Sequence, residues 1–407
     1  MLRRVARFLA LTTIALVPLT VWPGVPEPFT RPRIALLAVA ILAIGISLLL
    51  ARRRWPGVPR AIEWCAAGFL GALAVSASIA PVVSPVAVVL PVLCVAWAVM
   101  LRWVSPEPRH VVLTILASAS IVAVWALLQF SGLDPLQAAG WLPTGAYVAR
   151  MRVHATLGNP NFVGAYLACV LPLAAADLTP RRRQLVVFGL ILLAIAATTS
   201  RGACLGAVAG VAAVTAARPS RRSLMLLFAT LLMAAVVIGP GGGGTRPIDD
   251  TARGRVYILS VAAPHLLERP FAGFGPGSFG LLYPGWEVEH WTSAGVDANV
   301  RRYAAAQRHA HNDYVELLSD LGVPALLFWL SLTAAIAATG FGGSTVIGSA
   351  AAAGVIALSA VALVDFPLQR PVEAFSWWTL AALVVITCGP ANGHDARARR
   401  AVQPVTE

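Results

Sequence analysis

Five short polar clusters interrupt an otherwise apolar chain, and their residue types suit chemistry on a phosphorylated substrate. In order they are Arg150-Met151-Arg152, Gly158-Asn159-Pro160-Asn161, Arg201 within Thr198-Thr199-Ser200-Arg201-Gly202, the pair Arg253 and Arg255, and His309-Ala310-His311-Asn312-Asp313. Arginine presents a planar fork that donates two parallel charge-assisted hydrogen bonds to a phosphate or pyrophosphate and stays charged at any ordinary pH. Histidine takes or gives a proton near neutrality. Together these groups suit binding of a phosphoryl-bearing donor, with proton transfer to or from an acceptor hydroxyl.

Each residue also has a plain structural role that competes with the chemical one. Arg201 reads equally as a side chain snorkelling to lipid headgroups, and Arg152, Arg253 and Arg255 as solvated loop charges. His311 precedes an apolar segment and reads as an interfacial helix-start residue. Asn159 and Asn161 suit turn formation and helix capping, with Asn161 the natural cap of the segment that follows. His309 and His311 form a His-x-His pair, but no Glu-bearing zinc pattern accompanies them, so no metal is expected. Gly273-Phe274-Gly275-Pro276-Gly277-Ser278-Phe279 has the spacing of a phosphate-cradling turn. No apolar strand precedes it and no Lys-Ser/Thr follows, so it reads as a tight turn against the membrane.

The elements that must position these residues are membrane helices. Of 407 residues, 58% are hydrophobic and 12% charged, and mean hydropathy is +0.76, far outside the range of soluble domains. Twelve apolar segments approach the ~20 residues needed to cross the hydrocarbon as a helix: about 6–22, 34–51, 61–80, 83–101, 110–130, 161–178, 184–200, 202–217, 223–239, 314–338, 343–365 and 371–389. The N-terminal segment is taken as a span rather than a removable signal peptide, because no small-residue cleavage site follows cleanly. The net charge of +13 comes from arginines that recur at every second connection, among them Arg52 to Arg54, Arg181 to Arg183 and Arg221 with Arg222. This positive-inside pattern puts both termini in the cytoplasm and argues against a nucleic-acid partner. The five cysteines are scattered through apolar segments and read as packing residues.

The apolar stretch 184–217 bears on the site directly. A single helix of that length would reach ~50 Å, too long for one crossing, and arginines flank it at both ends. It must turn near Arg201, which places that charge at the outer boundary, where it needs water, a partner or an anionic ligand. The expected organisation is therefore residues 1–239 as about nine membrane helices with a smaller outer loop at 131–160, 240–313 as a large extracytoplasmic loop, 314–390 as the last membrane helices, and 391–407 as a cytoplasmic tail. Within the large loop, a helix is expected over Val256 to Leu267, bent at Pro264.

Read in order, Leu157-Gly-Asn-Pro-Asn-Phe162, Thr199-Ser-Arg-Gly-Ala203, Arg255 leading into Arg269-Pro-Phe-Ala-Gly-Phe-Gly-Pro-Gly-Ser-Phe279, and His311-Asn-Asp-Tyr-Val-Glu-Leu-Leu318 with Gly322 resemble the O-antigen ligase/polymerase superfamily. The resemblance implies an all-α, GT-C-like polytopic membrane protein without a cofactor or metal. Its donor would be an undecaprenyl-pyrophosphate-linked glycan, its acceptor a glycolipid such as lipid A core, a polysaccharide or a protein, and its site would lie on the periplasmic face of the bacterial inner membrane. By the same resemblance Arg201, Arg255 and His311 are the catalytic candidates, with Arg253, Arg152, Asn159, Asn161, His309 and Asn312 as substrate contacts. Arg253 is an alternative match for the loop arginine, since Ile258 and Leu259 stand where the family commonly has Trp. A ligase is preferred to a polymerase or a protein O-oligosaccharyltransferase because the single large loop lies just before the last three spans. The reading from another class is a transporter or flippase. That would call for polar or broken-helix sites near the midplane of the spans, where Glu63, Asp320 and Glu373 read as interfacial or isolated.

Overall fold

The computed structural model describes residues 1–52, 56–80, 83–140, 153–176, 180–239, 248–294 and 307–389. Arg150 and Arg152, the far end of the large loop and the C-terminal tail lie outside the described residues. Each of the twelve apolar segments is a helix, and among the described residues there is no strand. In order the helices are α1 (Leu2–Leu16), α2 (Arg31–Leu50), α3 (Arg60–Ile79), α4 (Pro85–Val104), α5 (Pro108–Phe130), the single turn α6 (Pro135–Ala138), α7 (Pro160–Ala175), α8 (Arg181–Thr198), α9 (Arg201–Ala217), α10 (Arg221–Ile238), α11 (Ile248–Ala262), α12 (Phe279–Ala294), α13 (Asp313–Gly342), α14 (Val346–Val361) and α15 (Pro371–Cys388). Among the described residues, seven helices are both long and apolar enough to cross a bilayer (α2, α3, α4, α5, α10, α13 and α15), and α7, α9 and α14 are shorter apolar helices. The chain is an all-α, multi-pass membrane protein.

Their ends follow from local chemistry. Proline stands at the first or second position of α2, α4, α5, α7 and α15, where its missing N–H costs no intrahelical bond. At α7 the cap is Asn159, whose Oδ1 accepts from the Asn161 N–H at 2.9 Å. The expectation that Asn161 caps this helix is thereby corrected: Pro160 opens the helix one residue earlier, so Asn161 already sits in its first turn. The break between α8 and α9 falls at Thr199, which adopts φ +53°, and Ser200 caps α9 by accepting from Ala203 N–H. Arg201 is thus the first residue of α9.

Helices α7, α9 and α14 form the tightest part of the bundle. A Cβ at Gly206 of α9 would lie 2.8 Å from the Ala357 carbonyl oxygen of α14, so only glycine permits this backbone approach. The connections expected on the outer side gather at one end of the bundle. Arg33 of α2 donates to the carbonyls of Val17, Phe29 and Thr156, the Thr156 hydroxyl donates to Pro18 O at 2.7 Å, and Ser84 N–H donates to Pro276 O at 2.8 Å. At the other end Arg102 is bonded to Gly57 O, Arg218 to Gly343 O, and Arg222 to Gln184.

Helix α13 is broken at Gly322 (φ +82°, ψ 179°), two residues before Pro324. Proline has no N–H to give to the carbonyl four residues back and clashes with it, and one loop segment takes up three of the backbone groups at the break. Phe274 N–H donates to Ser319 O and Gly275 N–H to Asp320 O, both at 2.9 Å, while Val323 N–H donates to Pro270 O at 2.7 Å. The glycine-rich turn is therefore docked into the notch of a membrane helix. Within the large loop, α11 begins eight residues before the expected Val256 and ends in a 3₁₀ turn, Ala263–His265, at the expected Pro264 bend.

Candidate functional site

The end of the bundle that holds the loop also gathers the charged residues. His311 adopts φ +52°, a left-handed backbone that histidine tolerates better than most residues. This turns the chain from the loop into α13. Asn312 caps that helix, its Oδ1 accepting from Tyr314 and Val315 N–H at 3.0 and 3.1 Å, and its Nδ2 donates to Leu363 O at 3.1 Å. Asp313 N–H donates to Ala362 O at 2.9 Å. The His311 turn is thereby stitched to the connection between α14 and α15.

That connection contributes the residues sequence reasoning missed, Asp365, Phe366 and Arg370, and the first turn of α15 adds Glu373. His311 Nδ1 lies 3.8 Å from Asp365 Oδ1, an ion-pair distance longer than a hydrogen bond. Asp365 is almost wholly buried, and Arg370 Nη1 lies 3.4 Å from its Oδ2. Burial pushes the Asp365 carboxyl up, but Arg370 beside it, helped by His311 and the Phe366 N–H, more than offsets this and holds it well below the usual carboxylate range. Arg370 in turn pairs with Glu373 at 2.9 Å. Its guanidinium lies over the rings of Phe162, at 4.0 Å, and Phe366, at 4.9 Å. The expectation that Glu373 and Asp320 are isolated is corrected: Glu373 is neutralised by Arg370, and the carboxylate of Asp320 accepts from Gly277 N–H, Ser278 Oγ and Phe279 N–H. The signal for these residues was present as acidic and basic residues set in otherwise apolar segments, which demand partners.

His309 and His311 have different surroundings. His309 Nδ1 is 2.8 Å from Glu316 Oε1 and its ring stacks on Phe366 at 4.1 Å, whereas His311 meets the same ring edge-on at 5.2 Å. Both side chains are about one-third exposed. His309 is thus fastened by a carboxylate and an aromatic face, and among the described residues His311 Nε2 has no hydrogen-bond partner.

Arg255, on α11, is half-buried and Arg253 is exposed. Burial lowers the Arg255 guanidinium from its ordinary value, Asp365 opposes that shift, and the charge of Arg201 adds to it. Arg255 therefore shares one electrostatic neighbourhood with Arg201 and Asp365, and through Asp365 with His311. The structure brings Arg201, Arg255 and His311 together. It leaves Arg253 outward, and it engages Asn159 and Asn312 in helix caps. Arg152 falls outside the described residues. Among the described residues no group of three or more His, Cys, Asp or Glu is placed to hold a metal ion.

The glycine turn does not cradle a free anion, because its amides at Gly277 and Phe279 are occupied by the Asp320 carboxylate at 2.8 and 2.9 Å. The smaller outer loop is fastened by a similar device. Gln129 Oε1 accepts from both His154 and Ala155 N–H, so its amide nitrogen must be the donor to His154 Nε2, 3.0 Å away. Nδ1 then carries the proton and donates to Ala155 O at 3.0 Å. Burial, partly offset by Asp134, lowers the His154 pKa in keeping with this neutral tautomer.

No curated protein matches the chain. Residues 186–330 match the family model described as O-antigen ligase, a segment that opens in α8 and ends in α13 beyond its break. It contains Arg201, Arg255, the glycine turn and His311, whereas Asp365 and Arg370 lie after it. With the motifs in order and their side chains gathered at one end of a multi-pass helical bundle, residues 186–330 are similar to the O-antigen ligase family.

Proposed function

We propose that the protein transfers glycan from an undecaprenyl-pyrophosphate carrier to an acceptor hydroxyl at the extracytoplasmic face of the bacterial inner membrane, with both termini cytoplasmic. The observation that carries this reading is the convergence on Asp365 of a histidine, 3.8 Å away, and of Arg255, a half-buried guanidinium within electrostatic reach of both Asp365 and Arg201. Two arginines of like charge held in one partly buried region favour an anionic ligand, since each raises the cost of the other until a phosphate neutralises both.

In the proposed reaction the donor pyrophosphate lies against Arg201 and Arg255, at the membrane edge where the head of a buried polyprenol must sit. The acceptor hydroxyl oxygen forms a bond to the anomeric carbon as the bond from that carbon to the pyrophosphate oxygen breaks. The hydroxyl proton passes to His311 Nε2, and the electron pair leaves with undecaprenyl pyrophosphate, whose developing charge the two arginines stabilise. Asp365 holds the imidazole from its Nδ1 side and favours the imidazolium that forms. A single displacement inverts the anomeric configuration. All the charge stabilisation in this scheme comes from protein groups, so it needs no metal.

Lipid A core is the acceptor we favour, giving a ligase; the growing polysaccharide would make the protein a polymerase, and a protein hydroxyl an oligosaccharyltransferase. The test is deletion of the gene in its host. Lipopolysaccharide stripped of its polymer supports the ligase. An altered chain-length distribution makes it a polymerase, loss of a glycoprotein makes it an oligosaccharyltransferase, and an unaltered surface glycan profile sinks the transferase reading. A transporter reading draws on the broken α13, but the backbone groups at that break are engaged by the protein's own loop, Phe274 and Gly275 N–H donating to Ser319 and Asp320 O.

A further inference from the structure

We infer that Asp320 is a positioning residue: its buried carboxylate, inside the break of a membrane helix, latches the large loop so that Arg255 and His311 face one another. The inference rests on the transferase reading for its kinetic consequence, and on geometry alone for the latch.

Asp320 is 4% exposed and three donors of the glycine turn converge on its side chain: Gly277 N–H at 2.8 Å to Oδ2, and Ser278 Oγ and Phe279 N–H at 3.0 and 2.9 Å to Oδ1. Its own carbonyl accepts from Gly275 N–H and from Ser76 Oγ of α3, both at 2.9 Å. Among the described residues, no other residue of α13 receives so much of the loop. The turn it holds opens α12, against which α11 and the segment leading to His309 pack. Phe279, Tyr283 and Trp286 of α12 form a small core with Tyr257, Ile258 and Val261 of α11 and with Ala310. Trp291 Nε1 donates to the Tyr257 hydroxyl at 2.7 Å, two residues along α11 from Arg255. On its other side, a Cβ added at Gly280 would lie 2.6 Å from the Arg308 carbonyl oxygen, so the start of α12 abuts the strand of chain that leads to His309 and His311. One carboxylate thus fixes the element on which both the loop arginine and the histidine lean. A mobile loop would leave Arg255 displaced, and misplacement by about 1 Å costs on the order of 10²-fold in rate.

The experiment uses the full-length protein in a background whose five native cysteines are replaced, carrying spin labels at Val256→Cys and Leu363→Cys. Both positions are exposed, at 65% and 54%, and they lie on the loop and on the α14–α15 connection. Asp320→Asn keeps the shape but turns one acceptor into a donor facing an N–H. It should broaden the label distance distribution, raise KM for the lipid-linked donor and lower kcat at least tenfold, while Asp320→Glu recovers part of the rate. Ser278→Ala, which removes one donor, should give a smaller change of the same kind. A narrow, wild-type distance in Asp320→Asn overturns the latch whatever the rate. If Asp320→Asn does not accumulate in the membrane, Ser278→Ala decides, and an unchanged distance and KM there overturns it. Should the unsubstituted protein transfer no glycan while Asp320→Asn still broadens the distance, the latch stands and the transferase reading falls.

Discussion

The chemistry proposed for His311 depends on one exposed nitrogen and one oriented ring. Because Asp365 lies on the Nδ1 side and Phe366 meets the ring edge-on, His311→Ala should lower the initial rate of glycan transfer by roughly 10²–10⁴-fold, the usual contribution of a positioned acid or base. His309→Ala should be milder, since His309 is engaged with Glu316 and stacked on Phe366. Both are measured with purified protein, lipid-linked donor and acceptor in the presence of a chelator. Wild-type activity that disappears with chelator and returns with zinc would instead make the two histidines metal ligands. For the arginines, Arg255→Ala should lose most activity and the exposed Arg253→Ala little. Arg201→Lys should lose most activity as well, because lysine keeps the charge but not the fork. Equal rates for wild type and Arg201→Ala would reduce that residue to a membrane-edge anchor. Asp365 has a folded pKa held below its ordinary carboxyl value. Its contribution to stability is therefore fully present above the ordinary carboxyl range and is lost as pH falls toward that depressed value. Asp365→Asn should lower kcat at least about tenfold, equivalent to ~1.4 kcal/mol, and should weaken the fold more at neutral pH than in acid, because Arg370 is then left with one buried carboxylate partner instead of two.

At the scale of elements, the break in α13 and the turn that fills it explain each other. Gly322 combines φ +82° with ψ 179°, a region open essentially to glycine, and any side chain there carries a backbone penalty of about 1–3 kcal/mol. A Cβ would also lie 2.7 Å from Pro270 O. Gly322→Ala should therefore lower the thermal midpoint in detergent and release the 270–279 segment, made visible as faster proteolysis of the loop. An unchanged midpoint and cleavage rate would show that the helix can close over the notch. In the chain 314–338 reads as one unbroken span, and only the turn at Gly273–Phe279 was legible. That break and turn are complementary was not, because the pairing joins residues more than forty positions apart and depends on which carbonyls the break exposes.

For the whole molecule, the connections expected on one side of the membrane are bonded to one another at one end of the bundle, and those expected on the other side at the opposite end. Arg33 ties together the α1–α2 and α6–α7 connections, while Arg218 joins α9 to Gly343 before α14. A cysteine at Thr292 should accordingly react with a membrane-impermeant thiol reagent in intact spheroplasts, and one at Gly57 should not. Reaction at Gly57 alone would invert the topology and dissolve the proposed site. The sequence determined the apolar helices and the breaks between them, because hydropathy and proline act locally and a bilayer punishes any other arrangement. It also singled out Arg201, Arg255 and His311. Only tertiary structure decided what surrounds them. Asp365 and Arg370 lie more than fifty residues beyond His311, and their role follows from the Asp313 N–H meeting the Ala362 carbonyl. The glycine turn, whose spacing resembles a phosphate cradle, proves to hold Asp320, since a buried carboxylate must find donors and the nearest unpaired amides were those of the turn.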